Sequence, residues 1–217
     1  MKYLSRVVWS EGMYMGPHHF QAQSRYFEDS IEFASSSLWF APYGLIAAQI
    51  DEEALANGTA AVMHARGIFP DGLTFHMPES DPLPEARQVE DLFPVVRDKV
   101  TLLLAVPPHR PDGVNCAVSD NGTAKAATSR NGVQPRFSAE TRLLHDETTG
   151  RDEKPVELGR KNIRLLLDTE DTSDLITLPV ARIVRSATGR FALDPEFIPP
   201  CLDLARADAA RVPGARR

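Results

Sequence analysis

The N-terminal part of the chain has the hydrophobic periodicity of an amphipathic helix. Its apolar positions fall on one face of a period of about 3.6 residues: Phe20, Phe27, Ile31, Ala34 and Leu38. Pro17 suits a first helical turn, where its missing N–H removes no hydrogen bond, and Pro42 closes the region. The pattern predicts a helix over residues 17–37, whose apolar face packs on the rest of the protein.

After Pro42 the hydrophobic pattern changes to short apolar or alternating runs, which are typical of β-strands. They cover residues 43–50, 60–69, 100–107, 136–146, 162–169, 178–186 and 190–194. Turn residues such as Asn57-Gly58 and Pro70-Asp71-Gly72 separate the runs. Short strands punctuated in this way predict a mainly β fold, an antiparallel β-sandwich with one N-terminal helix.

The predicted sandwich domain, including its helix, occupies residues 1–200. Within it, Ser119–Gly132 is small and polar and is expected to be a loop between strands. Residues 201–217 end in an Arg-rich stretch without an apolar period, so a disordered basic tail is expected there.

Charge and composition narrow the class of protein. The 217 residues carry a net charge of -6 without a long Lys/Arg block, so the electrostatic pattern of a nucleic-acid binder is absent. No stretch reads as a signal peptide or a membrane span, and a cytoplasmic location is expected. Cys116 and Cys201 are far apart in sequence, and we expect free thiols rather than a disulfide.

The sequence contains no recognisable catalytic motif. A phosphate-binding Gly-rich loop, a GxSxG nucleophile elbow and an HExxH zinc helix are all missing. The carboxylates are scattered over predicted loops and strand ends, and nothing marks two of them as a general acid and base. We therefore expect a protein that is not an enzyme and has no cofactor.

The histidines offer one metal-binding alternative. His18 and His19 are adjacent, so on a helix they point about 100° apart and do not readily chelate one ion. His64 and His76 could meet across a hairpin in a jelly-roll barrel, with His145 as a further ligand, which would suit a metal-dependent enzyme. No Glu or third His recurs at a supporting spacing, so structural histidines and no metal are preferred.

Aromatic and methionine side chains crowd the segment that precedes and starts the helix. Trp9, Met13 and Met15 lie outside the helical stripe. They either hold the helix in place or are offered to a partner, because aromatics and Met are enriched at interfaces. Exposed aromatics also leave a carbohydrate-binding sandwich as an alternative.

The same segment carries a resemblance to a known family. The stretch "VVWSEGMYMGPHHFQAQSRYFE" resembles the opening of the TssK (ImpJ, VasE) family of type VI secretion baseplate subunits, which has a Trp-x-Glu-Gly-Met block followed by Pro-x-His-Phe-Gln. The matching positions are Trp9, Glu11, Gly12, Met13, Pro17, His19, Phe20 and Gln21. Residues 65–84 and 178–204 resemble the family as well. Gly16 departs from it, because a larger and often basic residue is usual there.

The resemblance implies a fold and a role. Family members begin with a β-sandwich shoulder similar to that of phage receptor-binding proteins, followed by a helical neck and a C-terminal head. The subunit is a trimeric adaptor whose shoulder holds the TssF–TssG wedge of the cytoplasmic baseplate and whose head meets the inner-membrane complex. Because family chains are longer, this chain is expected to hold the shoulder, to reach at most the start of the neck within residues 201–217, and to lack the membrane-facing half.

The resemblance therefore predicts a non-catalytic structural adaptor that binds TssF and TssG at the baseplate. Because the family trimer uses more than the shoulder, a monomer and a weak homotrimer are both left open for this chain. The expected partner-binding residues are Trp9, Met13, Pro17, His19, Phe20 and Gln21. In such an element, His19 and Gln21 would supply directional hydrogen bonds beside an apolar anchor.

Overall fold

The computed structural model describes residues 5–90, 92–94, 97–118, 134–186 and 189–203. This part of the chain has two helices, α1 (Pro17–Leu38) and α2 (Glu52–Ala56). The strands are β1 (Gly44–Ile50), β2 (Thr59–Ala60), β3 (Val62–Ile68), β4 (Thr74–Met77), β5 (Arg87–Gln88), β6 (Lys99–Val106), β7 (Cys116–Ala117), β8 (Phe137–Leu144), β9 (Lys154–Lys161), β10 (Arg164–Leu167), β11 (Ile176–Arg185) and β12 (Phe191–Leu193). Two compact units divide the chain, residues 1–42 with α1 and residues 43–217 with every strand named here.

Helix α1 confirms the prediction made from periodicity. It begins at Pro17, the predicted first residue, because a fixed φ and a missing N–H cost nothing at this position. It ends one residue beyond the predicted boundary, where Trp39 becomes extended and its N–H donates to the Ser35 carbonyl at 3.0 Å. Within the described ranges no helix is both long and apolar enough to cross a membrane.

The predicted burial of the α1 stripe is wrong. Phe20, Phe27 and Ile31 are 56%, 55% and 70% exposed. Periodicity identifies which face of a helix is apolar, but it does not say what covers that face. In the single chain this face stays open to solvent.

The strands form four sheets. One has four strands in the order β10-β6-β11-β12, two have three strands in the orders β1-β3-β4 and β7-β8-β9, and β2 pairs with β5 in a two-stranded sheet. All pairings of these strands are antiparallel except the two-residue pairing of β7 with β8. The mainly β, antiparallel architecture is thus confirmed, with one short parallel pair that the sequence did not predict.

One hydrophobic cluster joins the three-stranded sheet β1-β3-β4 to the four-stranded sheet β10-β6-β11-β12. The first sheet contributes side chains such as Leu45, Val62, Phe75 and Met77, and the second contributes Leu102, Leu104, Leu165, Leu178 and Ile183. Two sheets that share one core between their facing sides form a sandwich. Strand β6 is buried on both faces over Leu102–Val106, as expected for a strand paired on each side.

Some elements went unpredicted for identifiable reasons. Strand β9 is exposed along nearly its whole length and contains Pro155, so it lacks the apolar run that marks a buried strand. Helix α2 has five residues, too few for a periodic pattern, and the Asp51 side chain caps it by accepting from the Ala54 N–H at 2.9 Å. The predicted loop at 119–132 and nearly all of the predicted tail, residues 204–217, lie outside the described residues.

The two cysteines are free, as predicted. Cys116 is partly buried in β7, and burial, reinforced by the negative charge of Glu157, raises the pKa of its thiol. A thiol of this kind is less reactive at neutral pH than an ordinary cysteine.

Candidate functional site

A tight turn folds the N-terminal segment just before α1. The Met13 N–H donates to the Ser10 carbonyl at 3.3 Å, and the Ser10 N–H lies 3.4 Å from the Met13 sulfur. Gly12, the third residue of this turn, has φ of +79°, a value that glycine adopts without steric cost. The sequence Ser-Glu-Gly-Met therefore builds a reversal that places Trp9 beside the helix start.

Trp9 packs on the first turn of α1. Its ring centroid lies 6.2 Å from that of His19 and 6.1 Å from that of Phe20, with interplanar angles of 38° and 54°. These are ordinary tilted aromatic contacts. Trp9 nevertheless remains 48% exposed. The two interpretations left open by the sequence are thus compatible, because Trp9 holds the segment against the helix and still presents its ring to solvent.

His19 fixes the helix start through its ring. Its Nδ1 accepts a hydrogen bond from the Gly16 N–H at 3.1 Å, and its own backbone N–H donates to the Gly16 carbonyl at 3.1 Å. This is the reach-back half of a capping box, while the reciprocal half needs a side chain that Gly16 lacks. The same Nδ1 also lies 3.3 Å from the Gly16 carbonyl oxygen. His19 is therefore structural at Nδ1.

The remaining predicted docking residues lie around this cluster. Met13, the last residue of the turn, is half-buried, whereas Pro17 and Gln21 are exposed in the first turns of α1. The structure thus brings Trp9, His19 and Phe20 into contact, with Met13 in the adjoining turn. Gln21 presents an exposed amide on the same helix.

An exposed apolar surface continues along the first unit. Its large hydrophobic side chains are Phe27, Ile31, Phe33, Leu38, Trp39 and Phe40, each more than half exposed. Contiguous exposure on this scale marks an interaction surface more often than a free monomer surface. The sequence analysis missed the contribution of Trp39 and Phe40, although an aromatic pair just before Pro42 was visible in the sequence.

The second unit contains a histidine cluster that the sequence analysis considered and set aside. His64 and His76 meet on one face of the β3–β4 hairpin, with ring centroids 5.8 Å apart and an edge-on geometry. The Glu79 carboxylate lies between them, 3.5 Å from the His64 Nε2 and 3.2 Å from the His76 Nε2. The statement that no Glu supports these histidines was wrong, because the turn after β4 brings Glu79 back over the hairpin.

The other histidines do not join this cluster. The exposed Nε2 of His145 lies 3.2 Å from a carboxylate oxygen of Glu153, at the far end of the β8–β9 hairpin. Neither His18 nor His19 belongs to a group of three metal-type ligands within the described residues.

A shallow cleft on the second unit bears on the carbohydrate-binding alternative. Its volume is about 290 Å³, and its seven lining residues include Arg164, Asp171 and Asp174. None of the seven is aromatic. Carbohydrate sites commonly stack sugar rings on aromatic side chains, so this cleft gives that alternative no support.

Comparison with known proteins identifies the family. The sequence profile described as "Bacterial Type VI secretion, VC_A0110, EvfL, ImpJ, VasE" matches residues 19–211. The chain belongs to this family. The resemblance stated from the three sequence blocks is thereby confirmed.

Relatives of the chain include a curated protein and solved assemblies. It is 31% identical over 209 residues to the type VI secretion system baseplate component TssK1 of Pseudomonas aeruginosa strain PAO1, covering 95% of this chain and 44% of TssK1. A chain in a TssK–TssF–TssG baseplate subcomplex, solved by cryo-electron microscopy, superposes with a TM-score of 0.79 at 26% identity, covering 93% of this chain and 63% of that one. A chain in a type VI baseplate complex gives 0.78 at 26% identity, covering 93% and 43%.

These matches extend over nearly all of the chain but only part of each relative. The chain spans less than half the length of TssK1. The similarity therefore concerns the β-sandwich and its N-terminal helix.

Proposed function

We propose that this chain is a non-catalytic structural component of the type VI secretion baseplate, and that its N-terminal segment docks the TssF–TssG wedge. The observation that carries the proposal is the superposition with a chain of a TssK–TssF–TssG subcomplex, at a TM-score of 0.79 over 93% of this chain. The name of the P. aeruginosa relative, a baseplate component, supports the coarser part of the proposal.

The first unit supplies suitable chemistry for docking. Trp9 and Phe20 offer partly exposed rings that touch each other, so they present apolar area with little freedom to lose on binding. His19, held through Nδ1, and the exposed Gln21 amide offer polar groups beside these rings. A central aromatic anchor with adjacent hydrogen-bonding groups is the usual arrangement at the centre of a protein interface.

The exposed stripe of α1 is proposed as a second contact surface, within a homotrimer. Its members Phe27 and Ile31 lie beyond the Trp9 cluster along the helix and are more than half exposed. Burying such side chains contributes about 1.5–3 kcal/mol each. An apolar helix face of this kind is suited to a symmetric contact among copies of the chain.

The proposal also implies where in the cell the chain acts. As a baseplate component the chain would act in the cytoplasm, at the baseplate associated with the inner membrane. Contact with the inner-membrane complex, which the resemblance places in the C-terminal head of longer family members, is not part of the proposal for this chain.

Co-expression with TssF and TssG from the same organism tests the docking proposal. The chain is expected to co-elute with both partners on size-exclusion chromatography, at a volume distinct from that of each protein alone. The assembly state is read from the same column by light scattering. A well-folded chain that elutes alone in the presence of a soluble TssF–TssG complex would overturn the docking proposal.

A further inference from the structure

The three side chains of the β3–β4 hairpin cluster have the composition of a zinc site. His64, His76 and Glu79 each offer one ligand atom, and these atoms all lie within 4.8 Å of one another. Two imidazoles and one carboxylate are a ligand set that Zn²⁺ accepts. The feature is distinct from the proposed docking segment, since it lies wholly in the second unit.

Strand register brings the two histidines to one face. Ala65 pairs with Met77 and Arg66 pairs with His76, so His64 and His76 are diagonal neighbours on adjacent antiparallel strands. Residues 65 and 77 point to the opposite face and are buried in the core. The histidines therefore occupy the outer face of the sheet, where an ion can reach them from solvent.

A well-defined turn supplies the carboxylate. The Ser80 and Asp81 N–H groups both donate to the His76 carbonyl at 2.9 Å, while the Asp81 carboxylate accepts from the His76 N–H at 2.9 Å. Lys161 holds Asp81 from the other side, with its Nζ 2.9 Å from Oδ1. These bonds anchor the turn that carries Glu79, so the third ligand is positioned by structure that does not depend on a metal.

The three side chains lie close enough to converge on one zinc ion. Tetrahedral zinc with bonds of about 2.0–2.2 Å keeps its ligand atoms about 3.3–3.6 Å apart. The Nε2 atom of His64 lies 3.5 Å from one Glu79 carboxylate oxygen, and the Nε2 atom of His76 lies 3.2 Å from the other. One ligand atom from each of the three residues lies within 4.8 Å of the other two, so the side chains have to draw together to bind the ion. The side chains are 30%, 38% and 49% exposed for His64, His76 and Glu79, so the ligands are open to an ion and to water.

Charge on this face explains why Glu79 is needed. Arg66 lies opposite His76 in the register, on the same outer face. A divalent ion beside two neutral imidazoles and a guanidinium would leave a large excess of positive charge. The Glu79 carboxylate offsets part of it.

We propose that His64, His76 and Glu79 form a binding site for one Zn²⁺ ion, with three protein ligands and an open fourth position. In the zinc-bound chain without a partner, a water molecule would fill that fourth position. Three protein ligands with one open position differ from the closed four-ligand arrangement of purely structural zinc sites. Bound zinc would tie β3, β4 and the following turn together.

Calorimetric titration of the untagged, reduced chain with ZnCl₂ at neutral pH tests the proposal. The wild-type chain is expected to bind one equivalent saturably. Loss of even an outer-shell partner commonly weakens metal binding by about 10–100-fold, so His64→Ala, His76→Ala and Glu79→Gln should each weaken it by at least about tenfold. His145→Ala is the matched control, because it removes another histidine paired with a glutamate and should leave the affinity unchanged.

A second measurement separates zinc binding from damage to the fold. Thermal unfolding in EDTA should give similar midpoints for wild type and Glu79→Gln, whereas added Zn²⁺ should raise the midpoint of wild type only. Absence of a saturable equivalent in the wild type would overturn the proposal. So would unchanged affinity in the three ligand variants, or an equal loss in His145→Ala.

Discussion

The Lys99 ammonium lies 2.8 Å from Oδ2 of Asp194, joining the first residue of β6 to the residue that follows β12. Asp194 is almost fully buried, and its other oxygen accepts from the Glu196 N–H at 3.1 Å. The Arg182 guanidinium adds a third contact at 3.8 Å. This carboxylate therefore ties together the β6, β11 and β12 end of the larger four-stranded sheet.

Removing the Lys99 partner should destabilise the fold. A hydrogen bond to a charged group is worth about 1.5–3 kcal/mol, so Lys99→Ala should lower the free energy of unfolding by roughly that amount. Urea unfolding of both single variants and of Lys99→Ala/Asp194→Ala gives a double-mutant cycle. The two effects should be clearly non-additive, and a strictly additive cycle would show that the pair does not interact.

The same carboxylate predicts an acid-sensitive component of stability. Hydrogen bonds from Lys99 and from the Glu196 backbone, aided by the nearby positive charges of Lys99 and Arg182, hold the pKa of Asp194 below its usual range. A lowered folded-state pKa means that the unfolded chain binds the proton first. The stabilisation is thus fully present above about pH 4 and is lost as pH falls through the folded-state pKa. The difference in unfolding free energy between wild type and Asp194→Asn should shrink below about pH 4, and a pH-independent difference would contradict this assignment.

Loss of the buried Arg136 side chain should destabilise the protein more than loss of the half-exposed Arg160 side chain. Its side chain is 6% exposed, its Nη2 lies 2.6 Å from Asp71 in the β3–β4 turn, and its Nη1 donates to the Pro107 carbonyl at 2.8 Å. Arg136→Met leaves both acceptors without this partner and should cost about 3 kcal/mol. Arg160→Met is the control, because that side chain is half exposed and lies 3.7 Å from Glu140, an arrangement worth about 0–1 kcal/mol. Chemical unfolding of both variants checks the ranking.

Gly67 is required by close packing between strands. A Cβ there would overlap the Gly44 carbonyl oxygen and approach Phe75 Cζ to 3.0 Å and the Leu45 Cα to 3.1 Å. Because two of these neighbours are backbone, Gly67→Ala should destabilise the protein by about 1–3 kcal/mol or more. Gly159→Ala, whose Cβ would meet Phe137 at an ordinary 3.6 Å, should change the unfolding midpoint little. Equal effects of the two variants would refute the packing argument.

Trp9 is expected to be a hot spot if the N-terminal segment docks the wedge. Trp9→Ala should cost about 2 kcal/mol or more of binding free energy, which is about a 30-fold loss of affinity for TssF–TssG. Gln21→Ala should give a smaller loss, because it removes one exposed polar group. The control is Leu143→Ala, which removes an exposed apolar side chain from β8 in the second unit and should leave the affinity unchanged. Affinities come from interferometry on folded variants, and wild-type binding by both Trp9→Ala and Gln21→Ala would place the docking surface elsewhere.

The helix and the main strands could be predicted because their signals are local. Pro17 marked the first turn of α1, and short apolar runs marked strands such as Lys99–Val106 and Ile176–Arg185. Strand β9 was missed for the same reason, since an exposed strand carries no such run. Local patterns show which face of an element is apolar, and they give no signal for a strand that has no apolar face.

The candidate metal site could be predicted only in part, because its residues are brought together by contacts between distant parts of the chain. The sequence singled out His64 and His76, but Glu79 acquired its place only through the turn that Asp81 and Lys161 anchor. Lys161 is 80 residues from Asp81 in the chain, so no spacing rule could have related them.

The sequence by itself determined helix α1, the main buried strands and, through its blocks of family-like residues, the family. Tertiary structure alone decided that the α1 stripe stays exposed and that Glu79 joins the two histidines. The physical reason is the distance along the chain over which each kind of interaction acts. Hydrophobic periodicity and turn chemistry act within a few residues, whereas exposure and ligand clusters depend on strand register and on ion pairs between distant segments.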